Sequence, residues 1–205
     1  LLTDPEWCLD MFNHFLDVNL ALLDRVWDAG YTFDAVNWPD DMGYKQNQFF
    51  SVRTYRELLK PVHKRAVDWA HAKGVKVRLH SCGDIRPFIP ELVEIGIDGL
   101  NPLEVKAGMD PVEIKHKYGD DLLLHGGINA VLWDDKEAIE AEMRTVIPEL
   151  KKSGGAKGDP GAPRFKDAIE AVRDHAGRLA GLIDTLRLRD DLGELFTLVA
   201  SFRDE

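Results

Sequence analysis

The chain has 205 residues, 44% hydrophobic and 30% charged, with a formal net charge of -10. That balance describes one ordinary globular domain, and the acidic surplus excludes a surface built to neutralise the phosphates of nucleic acid or of an anionic membrane. No run of ~18 apolar residues is present to span a bilayer, LLTDPEWCLDMF lacks the features of a signal peptide, and two distant cysteines make no disulfide framework, so the expected setting is the cytoplasm.

Thr3-Asp4-Pro5-Glu6 is a helix start: a capping side chain, an early proline, and an acid at the positive end of the helix dipole. Trp7, Met11, Phe15, Val18, Leu22 and Val26 follow at three- and four-residue steps, which predicts one amphipathic helix to about Gly30. FDAVNW (33–38) reads as a short strand ending at Pro39-Asp40-Asp41. The loop MGYKQNQFF leads to Ser51, an N-cap for a helix reaching His71 and closed by Gly74, with Pro61 expected to kink or split it. VKVRLH (75–80) is the second strand, and helix 85–95 brings Leu92, Val93 and Ile95 to a core. Ile97 to Leu100 is the third strand, ending in Asn101-Pro102-Leu103-Glu104.

Asp110-Pro111-Val112-Glu113 repeats the helix start, with Glu113 at the capping-box position, and Tyr118-Gly119 ends that helix. LLLHGG (122–127) is the fourth strand, and helix 134–152 closes at Ser153-Gly154-Gly155. AKGDPGAP then reads as a linker, and Arg164 to Phe202 as a helical stretch without a strand.

Strand and helix alternate four times, the pattern of a parallel sheet covered by helices. A doubly wound sheet and a (β/α) barrel both fit. Two features favour the barrel: no GxGxxG follows a strand, and polar residues gather at the C-terminal ends of all four strands. These are Asp40/Asp41, His80/Cys82, Asn101/Glu104 and His125/Gly126, at the rim where barrel chemistry sits. A closed barrel needs eight strands. Four βα units therefore predict half of a TIM-type (β/α)8 barrel over residues 1–155, followed by a divergent linker and tail over 156–205. Two open sheet edges call for cover, which a second copy would supply as a homo-oligomer.

His80 and Cys82, two apart at a strand end, share one face. They suit zinc, which takes imidazole and thiolate and keeps a position open in catalytic sites. The alternative is a small buried thiol beside a histidine satisfied by a carbonyl. Glu104, at the next strand end, is a third ligand, a partner of the ligands, or a solvated carboxylate beside Lys106. Asp40 and Asp41 are acid–base or substrate-binding candidates, or turn and cap residues. His125 precedes two glycines that let a ligand approach, and Tyr44, Gln46 and Asn101 are placed to line the mouth for a small-molecule substrate. His14, His63, His71, His116 and His175 read as solvated helix residues.

The ordered series HSCG, GIDGLNPLE, AGMD and GGI, within YRELLKPVHKRAVDWAHAKGVKVRLHSCGDIRPFIPELVEIGIDGLNPLEVKAGMD and KYGDDLLLHGGINAVLW, resembles the uroporphyrinogen decarboxylase superfamily from about Thr3 to Gly155. That superfamily comprises (β/α)8 barrels: the decarboxylase of porphyrin biosynthesis, and zinc-dependent methyltransferases working between corrinoids and thiols. The His-x-Cys resembles the methyltransferase type. It implies His80, Cys82 and Glu104 as zinc ligands, a corrinoid or corrinoid protein as methyl donor, and a zinc-activated thiol as acceptor. The decarboxylase type implies a lyase that acts on a tetrapyrrole without metal. In two respects the chain departs from the pattern: no cysteine follows Cys82, and AKGDPGAPRF stands where a strand bearing the last ligand is expected. An inert barrel fragment is the third reading.

Overall fold

The structure, a computed structural model, describes residues 3–152. Helix α1 (Pro5–Asp28) starts where the sequence predicts: the Asp4 carboxylate accepts the Trp7 N–H at 3.0 Å, satisfying a first-turn donor that has no helical partner. The stripe that signals this helix in the sequence is not the one that packs. Trp7, Met11, Phe15, Val18, Leu22 and Val26 all lie exposed, while Leu16 is buried with Val62 and Ala66, flanked by Leu9, Phe12 and Leu20. The helix carries two apolar stripes of the same period, so periodicity alone cannot say which one turns inward.

Strand β1 (Ala35–Pro39) begins two residues later than the sequence suggests, because Phe33 is drawn into an aromatic cluster with Trp27 and Trp69. The expected loop after it contains a hairpin, β2 (Gly43–Tyr44) and β3 (Asn47–Gln48), turning at Lys45-Gln46. Ser51 caps α2 (Val52–Thr54), accepting the Thr54 N–H at 3.1 Å. The chain then passes through a π turn (Tyr55–Leu59) directly into α3 (Lys60–Ala72). Pro61 thus neither ends nor splits the helix. It sits in the first turn of α3, where its missing N–H costs little and the widened π turn before it makes room for the ring.

Strand β4 (Lys76–His80) leads through a short 3-10 turn (Arg86–Phe88) into α4 (Ile89–Ile95). Strand β5 runs Gly99–Leu103, not 97–100. The Asn101-Pro102 dipeptide reads as a terminator, yet pairing resumes past it: the register to β6 (Leu123–Gly126) is irregular between Leu100 and Leu103, then restored at Leu103 and Gly126. Pro102 has no N–H to offer the ladder, which accounts for the interruption. Helix α5 (Pro111–Tyr118) is capped by Asp110, which accepts from the Val112 and Glu113 N–H groups; the Asp110 N–H goes to the Gly108 carbonyl, so Glu113 does not close a capping box. Helix α6 (Lys136–Leu150) starts two residues late, after the Asp135 cap. The division at 155/156, the linker and the tail helix lie outside the described residues.

The four long strands form one parallel sheet in the order β1-β4-β5-β6, with helices between successive strands. This is the architecture of half a TIM barrel. One face of the sheet is packed: Val77, Leu79 and Leu100 are fully buried against the helices with Ile89, Leu92 and Phe88, and Val36, Trp38 and Leu124 close the layer. The residues that alternate with them, Asn37, Arg78, His80 and Asn101, fall on the other face, with His125 beside them, and each keeps some exposure. No helix among the described residues is long and apolar enough to cross a membrane.

Candidate metal centre

At the C-terminal end of β4 the strand stops pairing with β1 and its last residues meet two loops. Ser81 is buried and its Oγ accepts the Met42 N–H at 2.9 Å. Asp84 donates its N–H to the Lys45 carbonyl at 2.8 Å, and its own carbonyl accepts from Gln48 at 2.9 Å. The hairpin is therefore laced to residues 81–84 by backbone and side chain together. Gly83 is where they touch: its φ is 75°, and a Cβ there would lie 2.4 Å from the Gly43 carbonyl carbon. A glycine is required on both counts, since the backbone is left-handed and the neighbour is backbone.

This lacing brings three donors together. The ligand atoms of Asp41, His80 and Cys82 all lie within 4.8 Å of one another. His80 Nε2 is 3.6 Å from Cys82 Sγ and 4.0 Å from Asp41 Oδ1. Zinc bonds of ~2.0–2.3 Å in a tetrahedron put neighbouring ligand atoms roughly 3.5 Å apart, so the three are close to the spacing of three corners. His80 Nδ1 lies 2.8 Å from Asn101 Oδ1, an acceptor, which fixes the proton on Nδ1 and turns the Nε2 lone pair toward the cluster. Asp41 Oδ1 also accepts the Cys82 N–H at 2.8 Å, holding the carboxylate in place. One imidazole, one thiol and one carboxylate, oriented by a second layer of hydrogen bonds, form a group that could hold a metal ion.

Burial raises the Cys82 thiol above its ordinary pKa, and the nearby Asp41 and Glu104 charges push it the same way, against Lys106. A bare Cys82 is accordingly a thiol at neutral pH, and only a cation beside it would favour the thiolate.

Glu104, expected as the third ligand, stands outside this group. Its Oε2 accepts the Gly83 N–H at 2.6 Å and its Oε1 lies 3.4 Å from Lys106 Nζ. It holds the loop that carries Cys82. Asp41, read in the sequence as an acid–base or substrate-binding group, is the carboxylate that lies with His80 and Cys82. The two adjacent aspartates part company: Asp40 Oδ2 turns to His63 Nε2 at 2.9 Å, and His63 Nδ1 lies 3.1 Å from the Tyr55 hydroxyl. His63 is 3% exposed, so its reading as a solvated helix residue is corrected. It shares an inward stripe with Leu59 at the end of the π turn and with Ala66 and Ala70 of α3, a spacing that could have flagged it. Burial, then the charges of Glu91 and Asp40, holds the Tyr55 phenol far above its ordinary pKa. Tyr55 therefore donates to Nδ1, and His63 donates from Nε2 to Asp40.

Asn101 is placed against His80 as described. His125, on β6, accepts from Arg78 Nη1 at Nδ1, 2.6 Å away. Tyr44 is exposed on the hairpin, against Phe49 at 5.9 Å, and Gln46 is exposed at its turn. Asp40 also lines a cleft of about 480 Å³ beside the β1 edge with Phe12, Phe15, Trp38 and Val62; Asp41, His80 and Cys82 are not part of its wall.

A half-barrel α/β protein with polar side chains gathered at the C-terminal strand ends is what the fold and site define. The chain belongs to the uroporphyrinogen decarboxylase (URO-D) family, whose description matches residues 1–158. No curated protein and no solved structure matches it.

Proposed function

We propose that the chain is an enzyme of the kind its family is named for, a carboxy-lyase acting on a tetrapyrrole polycarboxylate; the match to that family over residues 1–158 carries this reading. Loss of CO2 from a ring acetate breaks the bond from methylene to carboxyl carbon. The electron pair passes toward a pyrrole that has been protonated on carbon, a second proton converts the methylene into methyl, and the ring carbon then releases its proton, so that in net one proton takes the place of CO2. Such a step needs carboxylates near the cationic ring and donors that orient the substrate's acids. Asp40 and Asp41 would supply the first and are held in different directions, one on His63 and one on the Cys82 N–H. The test is anaerobic incubation with uroporphyrinogen and chromatography of the products. Stepwise appearance of less carboxylated porphyrinogens is expected; recovery of all substrate would overturn the reading.

The Asp41–His80–Cys82 cluster favours a second reading, methyl transfer to a thiol with a corrinoid as donor. Asp41, His80 and Cys82 would hold zinc, which when bound lowers the pKa of a coordinated thiol and supplies a nucleophile at neutral pH. Asn101 would keep the His80 lone pair toward the metal, and the hairpin would screen the site from water. Zinc per chain on protein purified without chelator separates the readings. Near one zinc, lost in Cys82→Ala with the fold intact, favours methyl transfer; metal-free protein that decarboxylates favours the lyase. A second copy covering the open sheet edges belongs to either reading.

A further inference from the structure

The inner face of the sheet holds a cluster that neither reading uses. Arg78 projects from the middle of β4, two residues before His80 and on the same face. Its register partners are Asn37 on β1 and Gly99 on β5. Arg78 Nε donates to Asn37 Oδ1 at 2.9 Å, and Nη1 donates to His125 Nδ1 at 2.6 Å. His125 is on β6, so the arginine lies across β5 to reach it. Gly99 has no side chain to stand in its way, and it could not acquire one cheaply, since a Cβ would lie 2.9 Å from the Leu123 carbonyl oxygen. One side chain thus spans all four strands.

The contrast with five other arginines is chemical. Arg53, Arg56, Arg65, Arg86 and Arg144 each lie within ion-pair distance of a carboxylate. No carboxylate among the described residues pairs with Arg78; its partners are neutral. A guanidinium only donates, so His125 Nδ1 must carry the lone pair and its Nε2 the proton. Burial, and then the charge of Arg78, keep the imidazole neutral by lowering its pKa. Asn37, with Oδ1 engaged, has its amide N–H pair to offer. The cluster therefore presents donors only: the remaining guanidinium N–H groups, the Asn37 amide and the His125 Nε2–H. The face is open here and both of the arginine's hydrogen bonds are exposed, so an acid arriving from solution can reach these donors.

We propose that Arg78, Asn37 and His125 form a subsite for one carboxylate group of a ligand, Arg78 supplying the charge and paired N–H donors and the other two flanking them. The site also names, on the lyase reading, what would hold a side-chain acid of the tetrapyrrole, but its existence does not depend on that reading.

The experiment uses the whole 205-residue chain with 15N-labelled histidine, titrated with sodium propionate, then with inorganic phosphate, at constant ionic strength. Propionate is expected to shift the His125 resonances saturably. Arg78→Gln should weaken that response about tenfold or more. Asn37→Asp places a carboxylate against Arg78 and should abolish the response while the circular dichroism stays native, which keeps the test open if Arg78→Gln fails to fold. An unchanged propionate response in Asn37→Asp, no response in the wild type, or a response to phosphate alone overturns the inference. Uroporphyrin, the stable oxidised octacarboxylate, is then added as a competitor. Displacement of propionate supports the subsite together with the tetrapyrrole reading. Propionate binding that uroporphyrin leaves untouched supports the subsite and counts against the tetrapyrrole.

Discussion

The two faces of the sheet differ as sharply as two proteins might. On the helix side Val77, Leu79 and Leu100 are at most 1% exposed and make the core with α3 and α4. On the inner side the alternating residues Asn37, Arg78, His80 and Asn101, with His125, are polar, partly open, and bonded to one another rather than packed. A strand sends consecutive side chains to opposite faces, so KVRLH writes both programs in five residues: Val77 and Leu79 hold the fold, while Arg78 and His80 stand on the polar face. Substitutions on one face should therefore cost stability, and those on the other should cost binding.

The largest effect is expected at Leu79→Ala, which empties a fully buried position and should lower unfolding stability by about 3 kcal/mol in urea titrations. Next comes Gly83→Ala, where the left-handed backbone and the Gly43 contact act together. About 2 kcal/mol and loss of the hairpin's place over Cys82 are expected, read from melting and from thiol reactivity of Cys82. This variant blurs the two faces, because Gly83 seats the hairpin and the loop of Cys82 at once.

Glu91 sharpens the comparison on the helix side. It is buried on α4 and accepts from Arg56 and Lys60, donors whose hydrogen bonds draw its pKa from 4.5 to about 2. A folded-state pKa below the unfolded value stabilises fully above the unfolded pKa and is lost as pH falls through the folded one. Urea midpoints should thus fall between pH 4.5 and about 2, and Glu91→Gln should lose about 2 kcal/mol at neutral pH and flatten that part of the profile. The smallest stability effect belongs to Cys82→Ala on the inner rim, within about 0.5 kcal/mol of wild type for metal-free protein. Its consequence should be confined to metal retention.

How much of this the sequence discloses follows the same division. Strand and helix alternation, the Asp4, Ser51 and Asp110 caps, and the gathering of polar residues at strand ends are local patterns, and all are legible. The nearness of His80 and Cys82 is legible as a spacing, although Cys82 lies in the loop just past the end of β4, where hydrogen bonds to Asp41 and Glu104 hold the backbone. What is not legible depends on partners distant in the chain. Asp41 rather than Glu104 joins the cluster because the hairpin is laced to residues 81–84, and no spacing encodes that lacing. Asp40 and Asp41 diverge because a buried histidine 23 residues further on claims one of them. Arg78 reads as a charged residue in a strand until the register sets it against Asn37 and Gly99. On α1, two stripes of one period leave the inward face undetermined.

The most direct test of the account is to treat the chain with chelator, show by elemental analysis that it holds no metal, and incubate it with uroporphyrinogen in the absence of oxygen beside its Cys82→Ala variant. The account predicts that both release CO2 and yield porphyrinogens with fewer carboxylates, at similar rates. Failure of both to turn over, with zinc-dependent methylation of an added thiol by the wild type alone, would contradict it.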